Sequence, residues 1–591
     1  MKINKILKIG KFDKFSKKTD LYIGEWCDDN FLNSPGKYFV NDNSYTKKNI
    51  LKDHLKYLKY YDELEGFIIK KLNLYHKTNH PKRYWKILLG NWLNWYIKII
   101  INRFNHLDNL LKKQKFKQIQ FIINSNTHLN SQGTSDINLS CEDPDWNAKV
   151  FLKIFQFLKY KKNFKIFYKK KKFKNNLSYT KIKKSFSTKL LNLISKIFTK
   201  KEDIFFIETY FSKIILFKIC LRLFQFPVFW RREPFLFKKT NSNIRKRIKI
   251  NFNFKNDPLK NFIFSNVFNF IPNCLLEGYK DNLKKSKTLP YPKNTKLIYT
   301  ASNFNSDELF KIWTAEKTLN SSKYVIGQHG GGYENFRFHI EKPTEILTPN
   351  YYLTWGWGQN DQTFTNKNIF IKFFVTRTLK KSKYINYSFK KQIVLFLPDR
   401  FPSRYTWNTY KEYLEILKLI KKFINFINHS VFKDIILKPL RRGRNDNFQE
   451  LNKDIKYWYS FNNKIKIINS NENIHQVYKK TKLCVFFYNS TGVLELISLN
   501  KPVILVLSSN QWFNIPKKVL KSYEELFKVG VFYKDFESAA DAVNKISKNF
   551  DKWWFNKKRQ NVLSKFRKKF AQHSHSLDSD FVKQIKMIKN Y

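Results

Sequence analysis

Gln328–His329–Gly330–Gly331–Gly332 follows directly on the apolar run Tyr324–Val325–Ile326. A buried strand that ends in three glycines becomes a loop. Its backbone takes positive φ and approaches a ligand closely. An imidazole there titrates near neutrality and can take a proton from a substrate hydroxyl. A second run, Tyr351–Leu353, ends in Trp355–Gly356–Trp357–Gly358, so two strands finish in glycine-rich, ring-bearing loops. Glu25, after the run Leu21–Tyr22–Ile23, is a second candidate base. Each has a plainer reading: a loop histidine, a packed turn, a solvated carboxylate.

A second constellation lies at Asn489–Ser490–Thr491–Gly492, where an apolar run passes into a helical pattern. The start of a helix offers N–H groups and partial positive charge, and small hydroxyl residues there can cradle a phosphate. Glu495, one turn on, can accept hydrogen bonds from sugar or ribose hydroxyls. Lys438, Arg441, Arg442 and Arg444 end another strand and supply the cations a diphosphate needs. An ordinary helix cap and a solvated charge cluster are the alternatives. GxxxxGK[ST], HExxH, GxSxG and paired-cysteine metal motifs are absent from the sequence, which lowers ATPase, metalloprotease and esterase readings.

The elements that must position these residues alternate strand and helix. Leu297–Thr300, a helix started by Ser306–Asp307–Glu308 and running to about Leu319, and the strand into His329 form a βαβ unit. A polar linker, Lys380–Lys391, follows. A second block holds strands at Ile393–Leu397, Ile435–Leu437, Ile465–Ile468, Leu483–Phe487 and Pro502–Val506, with helices between. That alternation predicts a parallel, doubly wound sheet. Asn49–Leu74 and Tyr84–Phe104 read as helices, with Gly90 letting another element approach. Asp143 and Pro144 open a further helix as N-cap and first helical residue. Residues 150–290 are the least legible. Phe205–Trp230 reads as an amphipathic helix whose cations interleave with Phe, Leu and Ile, which leaves attachment to a membrane surface open.

The chain has 591 residues, too many for one core. Lys and Arg number 112 against 46 Asp and Glu, a net charge of +66. Such a field points to a polyanion, either nucleic acid or an anionic membrane. Lysine far outnumbers arginine, and Lys, Asn, Ile, Phe and Tyr share AT-rich codons, so compositional drift accounts for much of the charge. No apolar run approaches the roughly 20 residues of a membrane span. The five cysteines are far apart and form no CxxC pair, which fits a reducing cytoplasm.

The residues also carry a resemblance. Gly24–Cys27 (GEWC), Tyr84–Trp92 (YWKILLGNW), Asp145–Asn147 (DWN), Leu309–Glu316 (LFKIWTAE), Val325–Tyr333 (VIGQHGGGY), Tyr352–Trp357 (YLTWGW), Tyr488–Glu495 (YNSTGVLE), Val529–Phe532 (VGVF), Glu537–Ala540 (ESAA) and Trp553–Trp554 occur in order along the chain. In these segments it resembles a transferase family of O-antigen and other surface-polysaccharide loci, GT-B glycosyltransferase-like in organisation. Glu334 stands where that pattern has glycine, and the loop after Leu437 lacks its aromatic ending.

The resemblance implies an α/β, GT-B-like fold with two Rossmann-like domains facing a cleft. Residues 1–388 would form the acceptor domain, with a helical, basic insertion at about 150–290. Residues 389–591 would form the donor-nucleotide domain with a helical tail. It implies transfer of a sugar or related group from a nucleotide-activated donor to a glycan or lipid-linked glycan acceptor. His329 or Glu25 would act as base. Ser490, Thr491, Glu495, Lys438 and Arg441 would hold the donor, and Gln328, Gly330, Gly331, Gly332 and Trp355 would line the cleft. No metal and no cofactor beyond the donor are expected, and the location is cytoplasmic, including the inner membrane face. Two alternatives stand beside this: a CDP-polyol phosphotransferase of the same architecture, and a basic nucleic-acid-binding or scaffold protein.

Overall fold

A computed structural model describes residues 5–11, 20–27, 46–160, 162–169, 197–248, 252, 254–338, 342–358, 369–377, 390–398, 410–439, 448–468, 472–546 and 549–590. Among these, the strands form three sheets, and every pairing is parallel. The expected α/β class is observed.

The first sheet holds β1 (Ile6–Ile9), β2 (Asp20–Tyr22), β3 (Gln118–Asn124) and β4 (Phe164–Lys169) in the order β2-β1-β3-β4. Its helices include α1 (Lys47–His76), α2 (Lys82–Leu89), α3 (Trp92–Lys113) and α4 (Pro144–Leu158). The stretch expected as one helix over Tyr84–Phe104 breaks at Gly90. That residue sits at φ +52, and a Cβ there would lie 3.3 Å from the Lys311 ammonium. Gly90 thus both ends α2 and admits another element. Asp143 caps α4 by accepting from the Trp146 N–H at 2.7 Å, ahead of Pro144, as the sequence predicts.

The second sheet runs in sequence order: β5 (Phe205–Ile207), β6 (Leu297–Thr300), β7 (Lys323–Gly327), β8 (Tyr351–Thr354) and β9 (Ile369–Lys372). Phe205–Trp230 is therefore not one helix. It is β5, then a turn with Glu208 and Tyr210 at φ +46 and +61, then α5 (Lys213–Arg222). Three buried apolar residues on an edge strand look the same as a helix segment by periodicity, and only pairing to β6 decides it. Helices α6 (Glu308–Leu319) and α7 (Lys342–Leu347) precede β7 and β8. The strands alternate cleanly. Tyr324 and Ile326 face a core shared with Leu7, Phe121 and α1–α4, so the first two sheets are packed as one body. Val325 faces the opposite core, with Leu297 and Leu353.

The third sheet holds β10 (Gln392–Phe396), β11 (Ile435–Lys438), β12 (Lys466–Ile467), β13 (Thr481–Phe486), β14 (Val503–Val506) and β15 (Phe532–Tyr533). Its order is β12-β11-β10-β13-β14-β15, that is, 3-2-1-4-5-6. This is the order of nucleotide-binding doubly wound sheets, whose ligands sit outside the strand ends where the winding reverses, here between β10 and β13. Helix α8 (Thr491–Ser498) follows β13 and α9 (Lys517–Lys528) follows β14. The expected division near residue 388 falls at 378–389, outside the described residues. The last helix, α10 (Leu577–Asn590), returns to the second sheet and packs Phe581 against Phe206, Phe211, Tyr299 and Phe373.

Phe581→Ala should therefore lower stability by about 3–5 kcal/mol, the cost of emptying a buried aromatic site. The midpoint of chemical denaturation reads this. An unchanged midpoint would mean that α10 is not a structural cover of the second sheet.

Candidate functional site

The loops at the carboxyl ends of β5, β7, β8, β9 and β13 converge. The glycine loop after β7 lies against the start of α8. Gly331 N–H donates to Thr491 Oγ1 at 2.9 Å. A Cβ on Gly330 would lie 3.0 Å from that oxygen, and one on Gly331 3.3 Å from the Thr491 backbone. Glycine suits both positions, since any Cβ would press on Thr491 and make it give by a few tenths of an ångström.

His329 sits in this loop, one-fifth exposed. Its Nδ1 lies 3.2 Å from Glu345 Oε1 and 3.0 Å from Tyr333 Oη. Glu345, on α7, is fully buried; it accepts from Tyr352 Oη at 2.7 Å and from Tyr333 Oη. A carboxylate only accepts, and the Tyr333 hydroxyl gives its proton to Glu345, so Nδ1 carries the imidazole proton. That tautomer makes Nε2 the basic nitrogen, the arrangement in which a carboxylate orients a histidine base. Tyr210 stacks on the His329 ring at 5.9 Å between centroids and 8° between planes. The Arg377 guanidinium lies 4.2 Å above the same Tyr210 ring and 3.8 Å from Glu495 Oε1. His329, Tyr210, Arg377 and Glu495 thus form one continuous line across the junction.

Glu495 is nine-tenths buried, and burial pushes its carboxyl up to about 7, against the opposing pull of Arg377. His475 is held below its ordinary value by burial, then by Arg377, Lys501 and Lys479. Arg377 therefore supplies a cation beside the first turns of α8, whose start favours an anion.

The residues expected to act have mixed placements. Ser490 is the N-cap of α8, and its side chain accepts from Gly492 N–H at 3.2 Å. Thr491 accepts from Gly331. Both hydroxyls keep an O–H that can donate to a phosphate oxygen. Lys438 is buried at the end of β11, two strands from β13 on the same edge. Arg441 lies outside the described residues, as does the side chain of Glu25, whose backbone begins the 3-10 turn Glu25–Cys27. Gln328 and Trp355 are corrections. Gln328 is buried; its Oε1 accepts from Trp355 N–H and Trp357 Nε1–H, each at 2.9 Å, so it ties the two loops together rather than facing a ligand. Trp355 is buried in the core of the third sheet with Val394 and Phe486, and works as packing. Gly332 takes the positive φ its type permits, +96.

Glu334 explains its own departure from the glycine pattern. It holds φ +57, keeping the glycine-like backbone, while its buried side chain lies 3.0 Å from Lys518 Nζ on α9. Asn335 and Asn489 both donate to Tyr523 Oη, at 3.1 and 2.9 Å.

Glu345, Tyr210 and Arg377 were not singled out from the sequence. The cue for Arg377 was Ile369–Phe370–Ile371, a short strand with a cation beyond its end. Tyr210 was hidden inside the supposed helix.

The LIC12162 family transferase model matches residues 8–585. The chain belongs to that family. It is accordingly a transferase. No curated protein matches it. Among solved structures, S. aureus MnaA with UDP overlaps at TM-score 0.37 and 14% identity, over 66% of this chain and 97% of that one. The wall teichoic acid polymerase TagF with CDPG gives 0.35 and 10%, over 68% and 92%. A mutant O-GlcNAc transferase of Thermobaculum terrenum gives 0.33 and 8%, over 66% and 68%.

The raised carboxyl of Glu495 makes stability depend on pH. Below its ordinary value of 4.5 the group is protonated folded or unfolded, and stability is full. As pH rises from 4.5 to about 7 the unfolded chain ionises first, so stability falls, and it levels off above 7. The loss is on the order of 3 kcal/mol at about 1.4 kcal/mol per pH unit. Denaturation midpoints across this range should slope less in Glu495→Gln. Identical slopes in the two proteins would rule out a neutral Glu495 in the folded state.

Proposed function

We propose that this transferase moves a sugar or related group from a nucleotide-activated donor to a surface-polysaccharide precursor of the O-antigen type. One observation carries the reading: the glycine loop that bears His329 touches Thr491 at the first turn of α8, beside the winding reversal of a 3-2-1-4-5-6 sheet. A base and an anion-binding helix start thereby share one place.

In this reading the unit up to about residue 388 presents the acceptor and base, and residues 389–591 hold the donor. The nucleotide lies over the ends of β10 and β13. Its diphosphate meets the start of α8 and the hydroxyls of Ser490 and Thr491, with Arg377 as the neighbouring cation. Glu495 takes hydrogen bonds from a donor hydroxyl. His329 Nε2 removes the proton of the acceptor hydroxyl as that oxygen attacks the donor. Glu345 steadies the imidazolium that forms. The bond from the transferred group to the nucleotide breaks, and the nucleotide leaves with the negative charge that the helix start accommodates. The reaction needs no cofactor besides the donor in this account. A CDP-linked polyol phosphate would use the same groups.

A thermal-shift screen against UDP-, GDP-, CDP-, CMP- and dTDP-linked compounds names the donor. A donor at about 100 times its Kd stabilises by roughly 2.7 kcal/mol. One nucleotide class should stand clear of the rest. Equal shifts from every nucleotide, matched by pyrophosphate and by oligonucleotides, would defeat the reading. With that donor, His329→Ala should lose about 10²–10⁴-fold in turnover with its melt unchanged.

A further inference from the structure

Helix α5 buries one side and leaves the other bare. Leu216, Ile219 and Cys220 face Phe581 and Leu577 of α10. On the outer side stand Ile214, Phe217 and Leu221, spaced three and four apart, with Phe224 in the turn that ends the helix. Ile214 is 71% exposed and Phe224 85%. Phe198 and Phe226, also exposed, stack at 4.5 Å just beyond. Singly exposed apolar residues are ordinary, but a cluster of this size marks an interaction surface.

The charge around the cluster is predominantly positive, with Asp203 and Asp578 among the cations. Helix α5 carries Lys213, Lys218 and Arg222 and no acid. Arg222 is paired with Asp578 at 2.9 Å, which fixes α5 to α10. Exposed Lys583, Lys586 and Lys589 lie along α10 around exposed Met587. Exposed aromatics and aliphatics ringed by lysines match a bilayer interface: rings enter the headgroup region while ammonium groups meet anionic lipid. Among the described residues no helix is long and apolar enough to cross a membrane, so the contact is peripheral.

We infer that the outer face of α5 docks the protein on an anionic membrane surface. The position of the helix gives this docking a use. Ser212 caps α5 through Ile215 N–H, and Tyr210, two residues earlier, stacks on His329. Membrane face and reacting centre therefore belong to one short segment. An acceptor with a lipid tail can reach the imidazole while the tail stays in the bilayer. The docking is independent of the proposed reaction; only the lipid-linked nature of the acceptor rests on that reading.

Co-sedimentation of the full chain with vesicles tests this, using mixed phosphatidylcholine–phosphatidylglycerol and phosphatidylcholine alone. The protein should bind the mixed vesicles, and part of the binding should survive high salt, because apolar insertion is not screened. The triple variant Phe217→Ser, Leu221→Ser, Phe224→Ser should bind roughly tenfold or more weakly, since each inserted side chain adds to partitioning. All three sites are exposed, so its melt should match the parent. Equal binding by the triple variant, with complete loss at high salt, would mean that bulk charge alone holds the protein and would overturn the inference. So would absence of vesicle binding alongside self-association that the triple variant abolishes, since a second copy would then cover the face. Donor-induced thermal shifts, read separately, report on the transferase reading and do not depend on this result.

Discussion

The site depends on one close approach of backbones. The loop Gly330–Gly331 meets Thr491 at the start of α8 so closely that a side chain on either glycine would press on it. Everything chemical follows from that contact. It sets His329 beside a helix start, brings Arg377 to Glu495, and lets Glu334 and Asn335 reach Lys518 and Tyr523 on the far side. The glycines favour this packing, and the packing decides which groups touch.

Around that contact the structure divides its polar groups by burial. Glu345 lies out of water with two tyrosine hydroxyls and an imidazole as partners, so its role is to hold a ring and a tautomer. Glu495 has a guanidinium nearby at 3.8 Å, and burial raises its carboxyl to about 7. Arg377 rests on Tyr210, and Tyr210 rests on His329.

Much of this was legible in the sequence, for identifiable reasons. The strands into His329 and Ser490 are runs of buried apolar residues ended by glycine or small polar residues. Fully buried parallel strands read that way. The Asp143–Pro144 and Asp307–Glu308 helix starts follow from capping chemistry. What escaped was decided by pairing. β1, β4, β5 and β9 are short or half-exposed, and only their neighbours make them strands. The division of the N-terminal strands into two sheets sharing one core could not be read from periodicity. Glu345 escaped because it lies sixteen residues from His329, on a six-residue helix with no distinguishing pattern. The aromatic loop after β8 looked like a ligand surface because tryptophan suits ligands and cores equally, and burial alone separates the two.

The pH profile of turnover in Glu345→Gln, set against the wild type at saturating donor and acceptor, tests the central claim most directly. A glutamine amide can donate to Nδ1 and favour the wrong tautomer. The account predicts a large fall in kcat, a shift of the rising limb that reports the base, and donor binding within about twofold of wild type, a difference of roughly 0.4 kcal/mol. A profile and rate unchanged by the substitution would show that His329 is not the base that Glu345 orients.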